Sequence, residues 1–185
     1  MSDTAFFLAA LGGGPNLARN SNGDLADGGR ATGAMISGEE LIIATVEQVR
    51  PDRFELIKEC SIVLWLRDRS QRSIQKFAED VRRWVATRHL DQLALRMGAF
   101  KGRVMQSQPA FKIEAALQLL AFVDVQVVDT QAVGNWIKRE DPEFTDVSHP
   151  GRATAAKKLL HAMEMAAFAI CHRGDARFFP ENSDA

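Results

Sequence analysis

A basic loop after a short apolar run is the feature of this sequence with the clearest chemistry. The run ends at Arg96, the loop adds Lys101 and Arg103, and no Asp or Glu lies between residues 92 and 113. Open α/β sheets usually hold their ligands in loops at the carboxyl ends of strands. Cationic side chains without a neighbouring carboxylate favour an anionic ligand over a metal ion. The loop therefore predicts binding of an anionic group, either nucleic acid phosphate or an acidic protein surface.

The helix predicted after this loop adds three polar candidates. Lys112 is the last cation of the basic stretch, and Glu114 and Gln118 share one helix face because they stand at i and i+4. We expect these two residues to line a crevice with Arg96 and Lys101. The alternative is that they form only the polar rim of an amphipathic helix.

The charge distribution along the chain agrees with an anionic partner. The net charge is −1, yet residues 50–112 hold 14 Lys and Arg against 7 Asp and Glu, and both flanks are acidic. A basic middle favours an anionic partner. A solvated helix face is the alternative, because the charges are scattered and lack the interleaved aromatic residues of single-strand binders.

Patterns for metal binding or nucleophilic catalysis are missing from the sequence. Cys60 and Cys171 stand far apart and form no CxxC pair. Asp146, Ser148 and His149 stand close together, but no GxSxG motif accompanies them, and closeness in sequence is not triad geometry. We predict no catalytic residue, no metal and no cofactor. Two isolated cysteines favour the cytoplasm, and no apolar run approaches the ~20 residues of a membrane span.

Hydrophobic periodicity and turn signals divide the chain into alternating elements. Strands are predicted at 34–36, 41–49, 53–67 (as one strand or two), 91–97 and 124–129, and helices at 70–87, 111–122, 130–138 and 154–171. Short links between the first three strands predict an antiparallel meander, and the intervening helices predict parallel additions. The prediction is a mixed α/β sheet flanked by helices, with an irregular arm at 1–32, one domain at 33–173 and a loose tail at 174–185.

The predicted helices also have predicted buried faces. In the helix at 111–122 the apolar stripe consists of Phe111, Ala115, Leu119 and Phe122. In the helix at 154–171 the inward residues are Leu160, Met163, Ala167 and Ile170, and Lys157 and Lys158 point outward.

The block KGRVMQSQPAFKIEAALQLL at 101–120 resembles domain-of-unknown-function family 3010, a small bacterial group. Weaker similarity in SGEELIIATVE at 37–47 and TAAKKLLHAMEMAAFAI at 154–170 extends the resemblance over about residues 33–170. The resemblance implies a ribonuclease H-like fold, whose order of strands and helices agrees with the predicted elements.

The resemblance also implies where a site would lie. Nucleases of that fold place carboxylates on the first strand, at the end of the fourth strand and on the last helix, where two metal ions flank a phosphodiester. The resemblance puts Met35 at the first of these positions and Met97 at the second. A thioether cannot replace a carboxylate as a ligand for Mg²⁺. Met35 and Met97 therefore predict a vestigial site.

We predict a catalytically degenerate ribonuclease H-like protein that binds an anionic partner. The predicted binding residues are Arg96, Lys101, Arg103, Lys112, Glu114 and Gln118. One alternative is an active metal-dependent nuclease that uses Glu39, Glu114 or Asp146. Another is a homodimeric interaction module that uses the apolar faces of the helices at 70–87 and 154–171.

Overall fold

Six strands and four helices make up the part of the chain that the computed structural model describes, which is residues 29–68, 70–90, 92–96, 107–120, 122–145, 147, 153–173, 175 and 178. The strands are β1 (Arg30–Ser37), β2 (Glu40–Arg50), β3 (Arg53–Trp65), β4 (Gln92–Arg96), β5 (Asp124–Val128) and β6 (Glu143–Thr145). The helices are α1 (Gln71–Thr87), α2 (Gln108–Gln118), α3 (Thr130–Glu140) and α4 (Ala153–Cys171).

The strands form one mixed sheet in the order β5-β4-β1-β2-β3-β6. β1, β2 and β3 are antiparallel neighbours, and β4 and β5 add in parallel beyond β1. The predicted meander with parallel additions is confirmed. β6 was not predicted: its three residues fall in a stretch read as a polar loop, and they pair in parallel with the start of β3. So short a strand has too few residues to show a period.

Two boundaries differ from those predicted. β1 begins at Arg30, so residues 30–32, assigned to the arm, belong to the sheet, where Arg30 pairs with Glu47 and Thr32 with Thr45. The stretch 53–67 forms a single strand with an irregular pairing at its centre, which explains why it reads as two. The rest of the arm, residues 1–28, lies outside the described residues.

The sheet separates two hydrophobic cores. On one side, here called the α4 face, α3 and α4 pack on Ile42, Ala44, Val46 and Ala94. On the other side, here called the α1 face, α1 and α2 pack on Ala34, Leu41, Ile43, Leu93 and Leu95. Alternate residues of a strand point to opposite faces, so β1, β2 and β4 each supply both cores.

The start of α1 agrees with the prediction. The hydroxyl of Ser70 accepts a hydrogen bond from the amide of Ser73, which satisfies one of the unpaired donors of the first turn. The apolar faces of α1 and α4, predicted as homodimer surfaces, are buried against the sheet. Within the described ranges, no helix is both long and apolar enough to cross a membrane.

The predicted buried stripe of α2 is wrong. Phe111 and Leu119 are 60% and 77% exposed, whereas Ile113 and Leu117 are fully buried on the α1 face. The helix begins earlier than predicted, with Ser107 as its N-cap. This helix has two apolar stripes. Packing on the sheet decides which stripe is buried, and helical periodicity alone does not predict it.

The segment predicted as a loose tail contributes to the core at one described position. Phe178 packs edge-on against Phe168 at a ring-centroid distance of 5.1 Å and against His172 at 5.0 Å. Its amide donates to the carbonyl of Asp175. The end of the chain is therefore tied to the α4 face at Phe178.

Candidate functional site

The position of α4 over β1 is set by Gly33. A Cβ atom on Gly33 would lie 2.1 Å from the carbonyl oxygen of Ala162 and 2.6 Å from the amide nitrogen of Ala166. No side chain fits in that space, so only glycine allows the helix and the strand to approach this closely. The close approach brings the first two turns of α4 over the carboxyl end of β1.

Met35 lies two residues beyond Gly33 on the same side of the strand. Its side chain is half-buried and packs against the core of the α4 face. Met35 thus presents a thioether on the α4 face near the carboxyl end of β1. Met97, assigned to the second position, lies outside the described residues.

An ion pair stands next to Met35. The Nζ atom of Lys158 lies 2.5 Å from Oε2 of Glu40, and the two side chains are only 24% and 18% exposed. Met35 pairs with Ile42, and Glu40 is two residues away on β2, about 7 Å along the strand. The ammonium group of α4 is therefore held near the carboxyl end of β1.

The prediction that Lys158 points outward is wrong. Lys158 is four residues before Ala162, which packs against Gly33, and residues four apart share a helix face. Glu40 alternates in step with the buried Ile42 and Ala44, so its side chain also points to the α4 face. The spacings indicate the faces of the two residues, whereas their pairing depends on how α4 docks on the sheet.

Arg96 ends β4 on the α4 face, since it alternates in step with Ala94. Its Nε donates to Oγ1 of Thr130 at 3.4 Å, which ties the guanidinium to the first turn of α3. Asp129 caps that helix: its Oδ1 accepts from the amide of Gln131 at 2.9 Å. Arg96 is thus at the carboxyl edge of the sheet.

The predicted polar residues of α2 do not join Arg96 in one crevice. Glu114 is 8% exposed and lies on a helix that packs on the α1 face, the side of the sheet opposite to Arg96. Gln118 is exposed and Lys112 is half-buried on the same helix. Alternate side chains of β4 point to opposite faces of the sheet. The sheet therefore separates Arg96, on the α4 face, from Glu114, which is buried on the α1 face.

Several candidates fall where the structure gives no description. Lys101 and Arg103 of the basic loop, and Asp146 of the nuclease alternative, lie outside the described residues. Glu39, another acid of that alternative, is exposed in the turn between β1 and β2.

The residues at this edge do not fit a divalent metal ion. Magnesium and manganese prefer carboxylate and carbonyl oxygens, whereas the edge presents a thioether, an ammonium group and a carboxylate that already has a cationic partner. In the part of the chain that is described, no three His, Cys, Asp or Glu side chains are grouped so as to hold a metal ion. We define the carboxyl-edge site as Met35, Glu40, Arg96, Thr130 and Lys158.

Comparison with solved structures shows which known fold the chain resembles. Thermus thermophilus RuvC superimposes with a TM-score of 0.59 at 13% sequence identity, covering 78% of this chain and 95% of RuvC. The T. thermophilus RuvC structure in complex with a Holliday junction substrate gives a TM-score of 0.55 at 14% identity, covering 82% and 96%. No curated protein sequence matches the chain.

These likenesses show the fold, and they confirm the predicted ribonuclease H-like sheet with its helices on both faces. The family model described as protein of unknown function DUF3010 matches residues 30–168, which is most of the described domain. The resemblance seen in residues 101–120 and in the two weaker blocks is confirmed over that whole range, and the chain belongs to the DUF3010 family.

Proposed function

We propose that this protein binds nucleic acid at the carboxyl-edge site and does not cut it by a two-metal mechanism. The observation that carries the proposal is the Lys158–Glu40 pair beside Met35. A metal pair in a nuclease supplies positive charge to a phosphodiester. Here the chain supplies that charge itself through the guanidinium of Arg96, whereas Glu40 offsets the charge of Lys158.

The basic loop follows Arg96 directly in the sequence. Lys101 and Arg103 follow Arg96 within seven residues, and Lys112 follows on α2. Lysine and arginine contacts to phosphate supply most of the affinity in non-specific nucleic acid binding. The proposed interface therefore consists of Arg96, Lys101 and Arg103, with Lys112 at its margin.

The structural neighbour adds support for nucleic acid over an acidic protein. T. thermophilus RuvC, which shares the fold, is known in complex with a Holliday junction substrate. The proposal assigns this chain a binding role in the cytoplasm.

The active-nuclease alternative has little support from the described acids. Glu39 is exposed in a turn, and Glu114 is buried on the α1 face, so the sheet stands between Glu114 and Met35. Two-metal chemistry needs its carboxylates to converge on metal ions about 4 Å apart. The remaining candidate, Asp146, would have to supply such a site almost alone.

A homodimer is a second candidate function, favoured by one observation. Phe111 of α2, Leu119 at its C-cap and Phe122 in the turn that follows are 60%, 77% and 45% exposed. An exposed row of large apolar side chains is typical of a protein–protein contact. We propose that a second copy of the chain covers this row, and the molar mass in solution tests it.

Fluorescence anisotropy with labelled DNA tests the nucleic acid proposal. We expect the wild-type protein to bind duplex or four-way-junction DNA in EDTA at about 50 mM salt, with affinity falling steeply as salt increases. The triple variant Arg96→Gln, Lys101→Gln and Arg103→Gln should bind at least tenfold more weakly. Its slope of log K against log salt should be shallower by about 2 to 3, because up to three phosphate contacts are removed.

A matched control removes the same charge elsewhere. Lys76, Arg82 and Arg83 are exposed on α1, and their replacement by Gln should leave most of the affinity intact. Equal losses for the two triple variants would mean a diffuse charge effect and would overturn the assigned surface. Cutting of the same DNA in Mn²⁺, abolished by Asp146→Asn or Glu39→Gln, would instead establish the nuclease.

A further inference from the structure

A second site lies at the opposite end of β1 from Met35. A cavity of 220 Å³ opens there, and we call it the amino-edge cavity. The residues that define its chemistry are Arg30, Thr32, Thr45, Arg88, His89 and Arg173. β1, the corner after α1 and the end of α4 all contribute to it, so residues distant in sequence converge on one space.

The charge of the cavity is positive on balance. Three guanidinium groups line it, and its described lining includes no Asp or Glu. Glu47, outside the lining, lies 3.0 Å from Arg30 and offsets one of the three charges. Glu47 does not offset the positive charges of Arg88 and Arg173. These two charges face one cavity in a chain whose net charge is −1. Such a concentration of guanidinium groups favours an oxyanion.

The guanidinium groups are held in place by backbone acceptors. Nε of Arg88 donates to the carbonyl of Glu59 at 3.0 Å, and the same guanidinium lies 5.1 Å from the centre of the Trp84 ring. A terminal nitrogen of Arg173 donates to the carbonyl of Arg30 at 2.8 Å. A guanidinium has five N–H donors, so these contacts fix its position and occupy only a fraction of its donor capacity.

Capping of helix ends is the structural alternative for Arg88 and Arg173, since each follows the last turn of a helix. Cations there interact favourably with the helix dipole. The Arg88 and Arg173 contacts described above go to carbonyls of β3 and β1, however, and not to the last carbonyls of α1 or α4. Both guanidinium groups thus donate to carbonyls of the sheet, which helix capping does not explain.

Two buried hydroxyl groups form the floor of the cavity. Thr32 and Thr45 are each 4% exposed, and their Oγ1 atoms lie 2.9 Å apart. Thr45 donates its hydroxyl hydrogen to the carbonyl of Cys60 at 2.8 Å. Because a hydroxyl has one hydrogen, Thr32 must be the donor in the Thr32–Thr45 bond. The floor therefore offers acceptor lone pairs, which suit a hydroxyl group of a ligand.

The backbone around the cavity is irregular in two places. Between the pairs Ile43–Ile62 and Thr45–Ile57, β2 advances two residues while β3 advances five, so residues 58–61 bulge out of the ladder. His89 has a φ of +52°, in the left-handed region that non-glycine residues seldom adopt. Bulges and strained residues concentrate at binding sites, and Cys60 of the bulge and His89 both line the cavity.

We propose that the amino-edge cavity binds a small phosphate-bearing ligand that also carries a hydroxyl group. Arg30, Arg88 and Arg173 contact the phosphate, and Thr32 accepts from the hydroxyl. The cavity is smaller than the roughly 300–1,000 Å³ of sites for drug-sized molecules, which restricts the ligand to a few carbon atoms. The site is separate from the carboxyl-edge site and goes beyond nucleic acid binding.

Titration of the full-length wild-type protein with inorganic phosphate and with glycerol 3-phosphate tests the proposal. In ¹H–¹⁵N NMR spectra at constant ionic strength, we expect saturable shifts at the amides of Arg30, Thr45, Cys60 and His89. The dissociation constant of glycerol 3-phosphate should be about 1 mM or lower, near −4 kcal/mol. Inorganic phosphate should bind more weakly, because it lacks the carbon-borne hydroxyl.

Three variants give the matched comparison. The double variant Arg30→Gln and Arg173→Gln should weaken binding of both probes at least tenfold, whereas Arg82→Gln on the outer side of α1 should change neither. Thr32→Val should remove only the advantage of glycerol 3-phosphate over phosphate. Shifts that stay linear up to about 10 mM, or that persist equally in the double variant, would overturn the proposal. The wild-type titration alone decides the case if a variant does not fold.

Discussion

The balance of charge at the carboxyl edge depends on three side chains. In a two-metal site, neighbouring carboxylates repel one another until cations bind between them. Here Glu40 has its own cation, Lys158, at 2.5 Å, and Met35 adds no charge. Glu40 is therefore neutralised by Lys158 without an added metal ion.

Gly33 gives the sharpest prediction at the scale of one residue. We expect Gly33→Ala to lower the free energy of unfolding by about 3 kcal/mol, the upper end for overpacking a core, because the added carbon would meet backbone atoms of α4 at 2.1 and 2.6 Å. Backbone atoms in a packed helix cannot move aside as a flexible side chain does. Urea unfolding followed by circular dichroism measures the change.

Gly134→Ala is the control for Gly33→Ala. Gly134 lies inside α3, and an added Cβ there would meet nothing within 4 Å. Replacing this glycine should raise stability by about 0.5–1 kcal/mol, since alanine loses less conformational freedom in a helix. A Gly33→Ala variant as stable as wild type would show that α4 does not sit on β1 as described.

Single residues at the site were only partly predictable. Met35 emerged from the resemblance, because the strand that carries it has a recognisable pattern. Lys158 was assigned to solvent, because a lysine on an amphipathic helix is usually exposed, and its partner Glu40 lies 118 residues away. An ion pair between two elements depends on how the elements dock, and periodicity within each element contains no information on that docking.

At the scale of elements, α2 has two apolar stripes and buries one. Ile113 and Leu117 face the α1-face core, and Phe111 and Leu119 face away from it. Both stripes have helical spacing, so the pattern predicted a helix correctly but chose the wrong side. The strands were more predictable, because the continuous apolar run of β2 is buried on both faces and leaves no side to choose.

Substitutions on the two sides of α2 should separate stability from self-association. Ile113→Ala should lower the free energy of unfolding by about 2–5 kcal/mol, as expected for a fully buried residue, and leave a dimer intact. Phe111→Ser with Leu119→Ser should change stability by less than about 1 kcal/mol and convert the dimer to a monomer. Urea unfolding and light scattering are the two measurements.

The controls for these α2 variants are internal. Each variant serves as the control for the other. Ile113→Ala should change only the free energy of unfolding, and the double serine variant should change only the molar mass in solution. A monomeric wild-type protein at all accessible concentrations would rule out the second copy as the occupant of the exposed row. Severe destabilisation by the double serine variant would place Phe111 or Leu119 in a core and contradict the observed orientation of α2.

At the scale of the whole molecule, one sheet serves two cores. Alternate residues of β1 and β2 enter opposite cores, as Ile42 and Ile43 do. Loss of either core would expose one face of every central strand. The overall topology was predictable from the order of elements, since short connections and right-handed crossovers leave few arrangements. The amino-edge cavity was not, because it depends on a bulge that only strand register reveals.

Because the central strands supply residues to both cores, we expect the two cores to unfold together. Trp84 is buried in the α1-face core and Trp136 in the α4-face core, whereas Trp65 is 57% exposed. In a variant that keeps only Trp84, and in another that keeps only Trp136, phenylalanine replaces the other two tryptophans. Within each variant the urea midpoint from fluorescence should equal the midpoint from far-ultraviolet circular dichroism, as two-state unfolding requires.

A Trp84 signal that changes at lower urea than the circular dichroism, with a Trp136 signal that does not, would show that α1 and α2 detach before the sheet opens. The sheet would then be held by the α4 face alone, through the same α4 contact that Gly33 permits.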